Sequence, residues 1–385
     1  MAASNFNLKK HSRFLVIALG CAFFTLTIST STEVSAQTHL DPALAPWNNF
    51  DLSNWGLDSP ALRDVNEPGR GTRINDFEFI ALSNKNSGLE SAKAKFFGEG
   101  DQQDSSPYFF TGPDGGMVFK SPVNGGRTSV GSRFPRSELR EHARKGKVNR
   151  NGGSTINVTG STENNWVLGY QPNDLTLRSN AQNVGGRNGR LTATLRVNKV
   201  TETGRPDDIG ATIIGQIHAD NDEPLRLYYR KLPQNKLGSV YFIHEIRDAK
   251  DLDEFILVGS REDDAENPDG GIALDELFSY EIINQGPIIE VVLRRGDFNG
   301  KEIARRSINM AELNSGYDRA DEWMYFKAGV YTQNNVAIER FRGEDLPGAA
   351  TTGFGPDGTE ADYDQATFYR LKVEHDVNNC SECIK

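Results

Sequence analysis

Three short segments carry side chains capable of acid, base and anion-binding chemistry, spaced two residues apart. They are Arg136–His142, Gln216–His218 and Tyr325–Gln333. Successive side chains of a β-strand point to opposite faces, so each segment would have one apolar face and one polar face. The polar faces hold Arg136, Glu138, Arg140 and His142 in the first segment, Gln216 and His218 in the second, and Tyr325, Lys327, Tyr331 and Gln333 in the third.

A simpler interpretation exists for each segment taken alone. A charged strand face is usually only solvated, and alternating Arg and Glu gives cross-strand ion pairs. A single histidine is more often structural than catalytic. The occurrence of all three segments in one chain favours a shared site, because Arg, Gln, His and Tyr together suit one reaction.

That reaction is β-elimination on a polymer of uronic acids. The C5 proton of a uronate is weakly acidic because the neighbouring carboxylate is already negative, so an enzyme must neutralise that carboxylate. Arg and Gln are suitable donors, neutral His or ionised Tyr a suitable base, and Tyr a suitable acid. Hydrolysis would instead require two carboxylates ~5–10 Å apart. The three polar faces contain one candidate, Glu138, which we interpret as an orienter of arginine.

The rest of the chain indicates an all-β protein. No segment has a long apolar period of 3.6 residues, and short strand-like runs alternate with Gly, Pro, Asn and Asp clusters. This pattern predicts a β-jelly roll, a two-sheet antiparallel sandwich, with one short helix near Ile308–Leu313. The predicted strands are 77–82, 116–119, 155–158, 191–197, 211–218, 225–229, 239–245, 255–258, 280–284, 288–293, 324–331 and 366–373.

The N-terminus has the pattern of a signal peptide. Basic residues precede an apolar run over 14–28, and Val34-Ser35-Ala36 ends in a small-x-small cleavage pattern before Gln37. The run is too short for a comfortable membrane span of ~20 residues. We therefore expect residues 1–36 to be removed and the mature protein to be secreted or periplasmic, with no membrane attachment.

The mature chain shows no internal linker, which predicts one main domain. We expect a short leader over 37–45, a jelly-roll domain over 46–376 and a polar tail over 377–385. A glycine- and aspartate-rich loop is predicted at 341–364. Cys380 and Cys383 lie in the tail without further zinc ligands nearby, which favours a disulfide or two free thiols.

Charge and composition limit the partners. The 385 residues include 43 basic and 53 acidic ones, giving a net charge of −10, which argues against nucleic acid as a partner. A polyanionic substrate would therefore need a locally basic face, for which Arg136, Arg140, Arg144 and Lys327 are candidates. The sequence contains no metal-binding motif, so we expect neither metal nor cofactor, and we expect a monomer.

The three segments resemble the signature strands of alginate lyases of polysaccharide lyase family 7, in the family's order. Further similarity is found at Phe50–Trp55, which looks like the family's opening strand, at Gly115–Phe119, and at Phe368–His375, which looks like its closing strand. The resemblance covers residues 46–376. One departure is Thr332, where the family commonly has Asn; this position points away from Tyr331.

The resemblance implies a jelly roll whose concave sheet binds alginate and cleaves it, leaving an unsaturated uronate at the non-reducing end. Arg136 and Gln216 would neutralise the substrate carboxylate. His218 would be the base, at least for guluronate, and Tyr331 the acid and a candidate base for mannuronate. The remaining assignments are Arg140, Lys327 and Gln333 as subsite residues and Glu138 as the residue that holds the arginines.

Other functions fit parts of the pattern. A lyase acting on another uronan, such as glucuronan, would need similar machinery. A non-catalytic carbohydrate-binding jelly roll would not need His218 and Tyr331 together with residues that neutralise a substrate carboxylate. A glycoside hydrolase on a similar sandwich would be expected to show a Glu-x-Asp-x-Glu strand, which the sequence lacks. The preference for mannuronate or guluronate, and endolytic or exolytic action, stay open.

Overall fold

The computed structural model describes most of the jelly-roll region, within a unit that begins at Leu40. The predicted signal peptide and tail lie outside the described residues, as do residues 341–361 of the predicted loop, Arg144, and the strands predicted at 77–82 and 155–158. The described residues are 40–52, 54–62, 71–74, 107–127, 132–142, 165–169, 186–219, 222–248, 252–319, 322–335 and 362–376.

These residues form β-strands and one short helix, α1 (Pro46–Asn49). None of the helical structure in the described ranges is long and apolar enough to cross a membrane. The strands are β1 (Trp55–Leu62), β2 (Gly71–Ile74), β3 (Phe109–Thr111), β4 (Met117–Pro122), β5 (Arg136–Glu141), β6 (Trp166–Val167), β7 (Gly186–Lys199), β8 (Ala211–His218), β9 (Leu225–Arg230), β10 (Leu237–Glu245), β11 (Leu252–Val258), β12 (Ile272–Ala273), β13 (Phe278–Gln285), β14 (Ile288–Arg295), β15 (Glu302–Asn309), β16 (Trp323–Thr332) and β17 (Tyr363–Asp376).

The strands form two antiparallel layers. One layer has the order β2-β1-β5-β16-β8-β9-β10-β11. The other has the order β3-β4-β17-β7-β13-β14-β15. The short β6 pairs in parallel with β7 and antiparallel with the start of β16, so it bridges the layers. The all-β fold predicted from the sequence is confirmed, and its strand order departs from sequence order as in a jelly roll.

The core lies between the two layers and is built from alternate residues of each strand. On β16 the inward side chains are Phe326, Ala328 and Val330, all fully buried. They face β7, where alternate residues from Leu191 to Val197 are also fully buried. Removing a large apolar side chain from water stabilises a fold by ~1.5–3 kcal/mol. This alternation therefore fixes which face of β16 is left for the site.

A buried polar network also joins the layers. His375 of β17 contacts Glu141 of β5 at 2.5 Å, and its Nδ1 donates to the Asn188 carbonyl at 2.6 Å. The second oxygen of Glu141 accepts the Trp166 indole N–H at 3.1 Å and the Phe326 backbone N–H at 3.0 Å. Burial disfavours a charged His375, but the Glu141 carboxylate outweighs it and raises the pKa of His375. The network holds β5 and β16 against the opposite layer.

Two local predictions are wrong. The segment Ile308–Leu313 is not a helix: β15 continues to Asn309, with Ile308 opposite Ile289 in the sheet, and a series of turns follows. The similarity over Phe50–Trp55 does not correspond to a strand along its length. Phe50 follows α1, which starts at Pro46, and β1 begins only at Trp55.

Candidate active site

The sheet register brings the three polar segments together. Strand β16 lies between β5 and β8, so Lys327 is directly opposite Arg140 on one side and Gln216 on the other. Along the same strand, Tyr331 is opposite Arg136, and Tyr325 is opposite His218. Opposite residues of neighbouring strands have Cβ atoms ~4.5–5.5 Å apart. The polar faces thus form one continuous surface on the outside of the first layer.

Gly329 lets the middle strand approach β5 closely. Its φ of +145° is one that side chains rarely allow, and a Cβ there would lie 2.6 Å from the Ser137 carbonyl oxygen. The register between β16 and β8 also shifts between Ala328 and Tyr331. The irregularity, of the kind that β-bulges introduce next to active sites, sets where Tyr331 stands relative to β8.

Glu138 is the centre of a buried cluster of donors. Its Oε2 lies 3.1 Å from Arg136 Nη1 and 2.5 Å from Lys327 Nζ, and its Oε1 accepts a hydrogen bond from Gln216 Nε2. Glu138 and Gln216 are fully buried, and Arg136 and Lys327 nearly so. Charge-assisted hydrogen bonds of this kind hold their partners in defined positions. The cluster therefore presents two cations and an amide from three different strands.

Lys327 has a second carboxylate nearby. Its Nζ lies 3.6 Å from Asp58 Oδ2 on β1. Burial and the positive charge of Arg136 lower the pKa of Lys327, while Glu138 and Asp58 oppose that shift. Burial and Arg136 thus destabilise the charged form of Lys327, and binding of an anion beside it would relieve that penalty.

Tyr331 stacks on the guanidinium group of Arg136. The Arg136 Cζ lies 3.6 Å from the ring centroid of Tyr331. Burial raises the pKa of Tyr331, with Glu223 and Glu138 acting in the same direction and Arg136 opposing it. The hydroxyl is therefore protonated at neutral pH and can serve as a proton donor.

His218 is held as a neutral imidazole in a single tautomer. Its Nδ1 lies 2.5 Å from the Ala219 carbonyl, which can only accept, so Nδ1 carries the proton and Nε2 the lone pair. Burial, followed by the charge of Lys327, lowers the pKa of His218 to about 3, and Arg136 and Arg140 add to the effect. A neutral imidazole with a bare Nε2 can accept a proton.

The two other residues proposed for subsites are largely buried. Arg140 Nη1 donates to the Glu141 carbonyl at 2.9 Å and Nη2 to Asn165 Oδ1 at 3.1 Å. Gln333 Nε2 donates to the Thr332 carbonyl at 3.1 Å, so its side chain lies back along its own strand. Both therefore contribute to the shape of the cleft as well as to its polarity.

Four residues at this surface were given no role from the sequence. Tyr325, on the polar face of the third segment, packs its ring against both the His218 ring at 4.8 Å and the Arg140 guanidinium at 3.7 Å. The signal in the sequence was that Tyr325 shares a strand face with Lys327 and Tyr331. The others depend on how the strands pair or on a connection: Asp58 near Lys327, Arg226 opposite Gln216, and Glu223 near His218.

The part of the chain that the structure describes contains no group of three or more His, Cys, Asp or Glu side chains suited to a metal ion. The cleft is instead built from buried Arg, Lys and Gln donors around a neutral His and a protonated Tyr. This combination on a jelly roll is the arrangement expected of a lyase acting on an acidic polysaccharide.

Comparison with known proteins assigns the family. A sequence model described as alginate lyase matches residues 50–375. An alginate lyase from Klebsiella pneumoniae is 38% identical over 340 residues, covering 86% of this chain and 91% of the relative. The chain is thus a polysaccharide lyase. It belongs to the alginate lyase family, polysaccharide lyase family 7.

Solved structures agree with this assignment. The crystal structure of the alginate lyase from Klebsiella pneumoniae matches with a TM-score of 0.66 and 36% identity, covering 87% of this chain and 99% of that one. The exolytic family 7 lyase AlyA5 from Zobellia galactanivorans matches with a TM-score of 0.52 and 20% identity, covering 85% and 96%. The second match shows the fold alone.

Proposed function

We propose that this protein depolymerises alginate by β-elimination and leaves an unsaturated uronate at the non-reducing end of each new chain. The observation that carries the proposal is the buried donor cluster around Glu138, which adjoins a neutral His218 and a protonated Tyr331. Family membership and the alginate lyase from Klebsiella pneumoniae support alginate as the polymer.

Arg136 and Gln216 neutralise the carboxylate of the uronate that loses its proton. Gln216 donates one amide hydrogen to Glu138 and has a second one for substrate. Arg136 contributes its charge from a position fixed by Glu138 and by the ring of Tyr331. Preorganised donors of this kind stabilise the enolate that develops at the carboxylate when C5 is deprotonated.

His218 is the base that removes the C5 proton. Its bare Nε2 is available over the whole neutral range because burial and the surrounding cations keep the imidazole uncharged. The ring is held from the side by its stacking against Tyr325. Because this base is uncharged, it does not compete with Arg136 for the carboxylate of the substrate.

Tyr331 is the acid that protonates the departing O4. Its raised pKa keeps the proton on the phenol until the glycosidic bond breaks. The same raised pKa makes the Tyr331 phenolate scarce. Tyr331 can therefore act as the base for mannuronate only if its phenol loses its proton when the substrate binds. Arg140, Lys327 and Gln333 shape the neighbouring subsites, and the first two give the cleft a positive charge despite the net charge of −10.

We also propose that the protein is exported and acts as a monomer. The basic start, the apolar run over 14–28 and the cleavage pattern ending at Ala36 support export to the periplasm or the medium. Sedimentation of the mature protein and sequencing of its N-terminus test the two statements.

The function is tested by incubating the mature protein with polymannuronate, polyguluronate and glucuronan separately. Rising ultraviolet absorbance from a new C4–C5 double bond on either alginate block, and little on glucuronan, is the expected result. The faster block gives the substrate preference, and product size over time separates endolytic from exolytic action. Turnover of glucuronan alone would assign a different uronan, and binding without turnover would indicate a carbohydrate-binding module.

A further inference from the structure

Glu223 brings a carboxylate to the base of the cleft from the connection between β8 and β9. Its Oε1 lies 3.4 Å from His218 Nε2, and the side chains of both residues are 19% exposed. Backbone contacts fix this connection on either side of the carboxylate. The Glu223 N–H donates to Glu245 Oε2 at 3.0 Å, and the Pro224 carbonyl accepts from His244 Nδ1 at 2.6 Å.

Glu245, at the end of β10, forms a pair with Glu223. Their side chains are in hydrogen-bond contact, and the second oxygen of Glu245 binds Arg226. Burial and the charge of Glu223 raise the pKa of Glu245, with Arg226 opposing the shift. The contact with Glu245 therefore holds the Glu223 carboxylate in place beside His218.

The environment of His218 makes a retained proton unfavourable. The ring is surrounded by Lys327, Arg136 and Arg140, so an imidazolium there faces three cations. Its Nδ1 proton is already engaged with the Ala219 carbonyl. Nε2 is therefore the nitrogen that receives a proton from substrate, and it is also the nitrogen that lies 3.4 Å from Glu223.

We propose that Glu223 is a positioning residue that accepts from His218 Nε2 the proton removed from the substrate and releases it to solvent. This inference rests on the proposed function. In the step, the C5–H electron pair becomes the C4–C5 double bond and the C4–O4 pair leaves with O4. Tyr331 gives O4 its proton, His218 passes the C5 proton to Glu223, and Glu223 passes it to water. The Tyr331 phenolate then recovers a proton from water, so no oxidant or reductant is required.

Burial and the neighbouring cations Lys327, Arg136 and Arg140 lower the pKa of His218 to about 3, so an imidazolium formed there readily gives up its proton. The contact of 3.4 Å is longer than a normal hydrogen bond, as expected while Nε2 carries no proton. The other titratable or charged groups that interact with Glu223 or Glu245 are Arg136, Arg226, Tyr228, His244, Tyr317 and Tyr331.

The test measures kcat, KM and their pH dependence for Glu223→Gln, which keeps the size of the side chain but cannot accept the proton. We expect kcat to fall ~10- to 100-fold while KM stays within about twofold, and the acid limb of the kcat profile to move. Glu223→Asp keeps a carboxylate and should recover part of the loss. Glu302→Gln, on the opposite layer and bound to Arg305, is the matched control.

A second variant tests the chemistry independently of folding. In Glu223→Ala, added formate should raise kcat in proportion to its concentration, whereas chloride at equal ionic strength should not. Unchanged kcat and pH profile in Glu223→Gln, or a loss confined to KM, would show that Glu223 does not relay protons. If the wild type forms unsaturated products but formate gives no rescue, this inference alone is wrong; if the wild type forms none, the proposed function falls with it.

Discussion

The ammonium nitrogen of Lys327 lies 2.5 Å from the carboxylate of Glu138, where both side chains are almost completely buried. The two residues come from neighbouring strands, and the same carboxylate also binds Arg136 and Gln216. One acidic side chain thus sets the positions of three donors. In the proposed mechanism, binding of a uronate carboxylate therefore depends on a residue that need not touch the substrate.

Removing the charge of Glu138 should damage both stability and turnover. In Glu138→Gln, Arg136 and Lys327 lose their shared counter-charge, and breaking a buried ion pair costs ~3–5 kcal/mol. Displacement of Arg136, Lys327 and Gln216 from their positions can lower kcat/KM by roughly 100-fold. Urea unfolding and steady-state rates measure the two effects.

The matched control is Glu290→Gln, which removes a glutamate bound to Arg305 on the opposite layer. Surface pairs of that kind contribute ~0–1 kcal/mol, so this variant should behave like the wild type. Equal stability and turnover in both variants would mean that Glu138 does not organise the donors.

The protonation state of His218 gives a prediction about pH. A lowered pKa means that the neutral, active form persists as the pH falls through the ordinary imidazole value and is lost only near pH 3. The profile of kcat/KM should therefore show no inflection near pH ~6.5, and the acid limb should belong to carboxyl groups. Nitrogen NMR should find Nδ1 protonated and Nε2 bare at pH 6. A His218 resonance titrating near pH 6.5 would contradict the assignment.

Asp364, fully buried under the end of β16, should make stability depend on pH. Burial raises its pKa to about 7, although hydrogen bonds from Thr332 and from the Thr201 N–H at 2.6 Å oppose the shift. Between the unfolded pKa of ~3.9 and this value, the folded state binds more protons than the unfolded state. The contribution of Asp364 to stability therefore decreases as the pH rises through that window.

The variant that tests this is Asp364→Asn, which imitates the protonated acid. It should be more stable than the wild type at pH 8, by at most roughly 4 kcal/mol, with a much smaller difference at pH 4. Chemical unfolding at the two pH values measures the effect, and Asp297→Asn in an exposed turn is the control. A difference that does not change with pH would show that Asp364 is ionised in the folded protein.

The sequence predicts the strands that carry the site because their period-two alternation is local. Strand β8 has the predicted bounds Ala211–His218, and the inward and outward faces of β16 follow from the same alternation. The short helix predicted over Ile308–Leu313 is wrong because Ile308 pairs with Ile289 on the preceding strand β14, and that pairing outweighs local preference.

The contacts between strands could not be read from the sequence. Asp58 enters the cleft through the pairing of β1 with β5, which are distant in sequence, and Arg226 through the register between the consecutive strands β8 and β9. Neither the partner of a distant strand nor the exact register has a local signal in the sequence. Arg140 was expected to line a subsite, whereas the structure buries it with hydrogen bonds to Glu141 and Asn165. Its guanidinium therefore supports the cleft wall as well as supplying charge.

Elimination with Tyr331 as the acid is checked by the mass of the alginate products. Elimination adds no water, so every wild-type oligomer except the one that carries the polymer's original non-reducing end should be lighter by one water than its saturated counterpart and should absorb in the ultraviolet. Tyr331→Phe, which keeps the ring stacked on Arg136, should form the same products ~100- to 10,000-fold more slowly. Saturated products would contradict elimination, and wild-type rates in Tyr331→Phe would contradict the assignment of the acid.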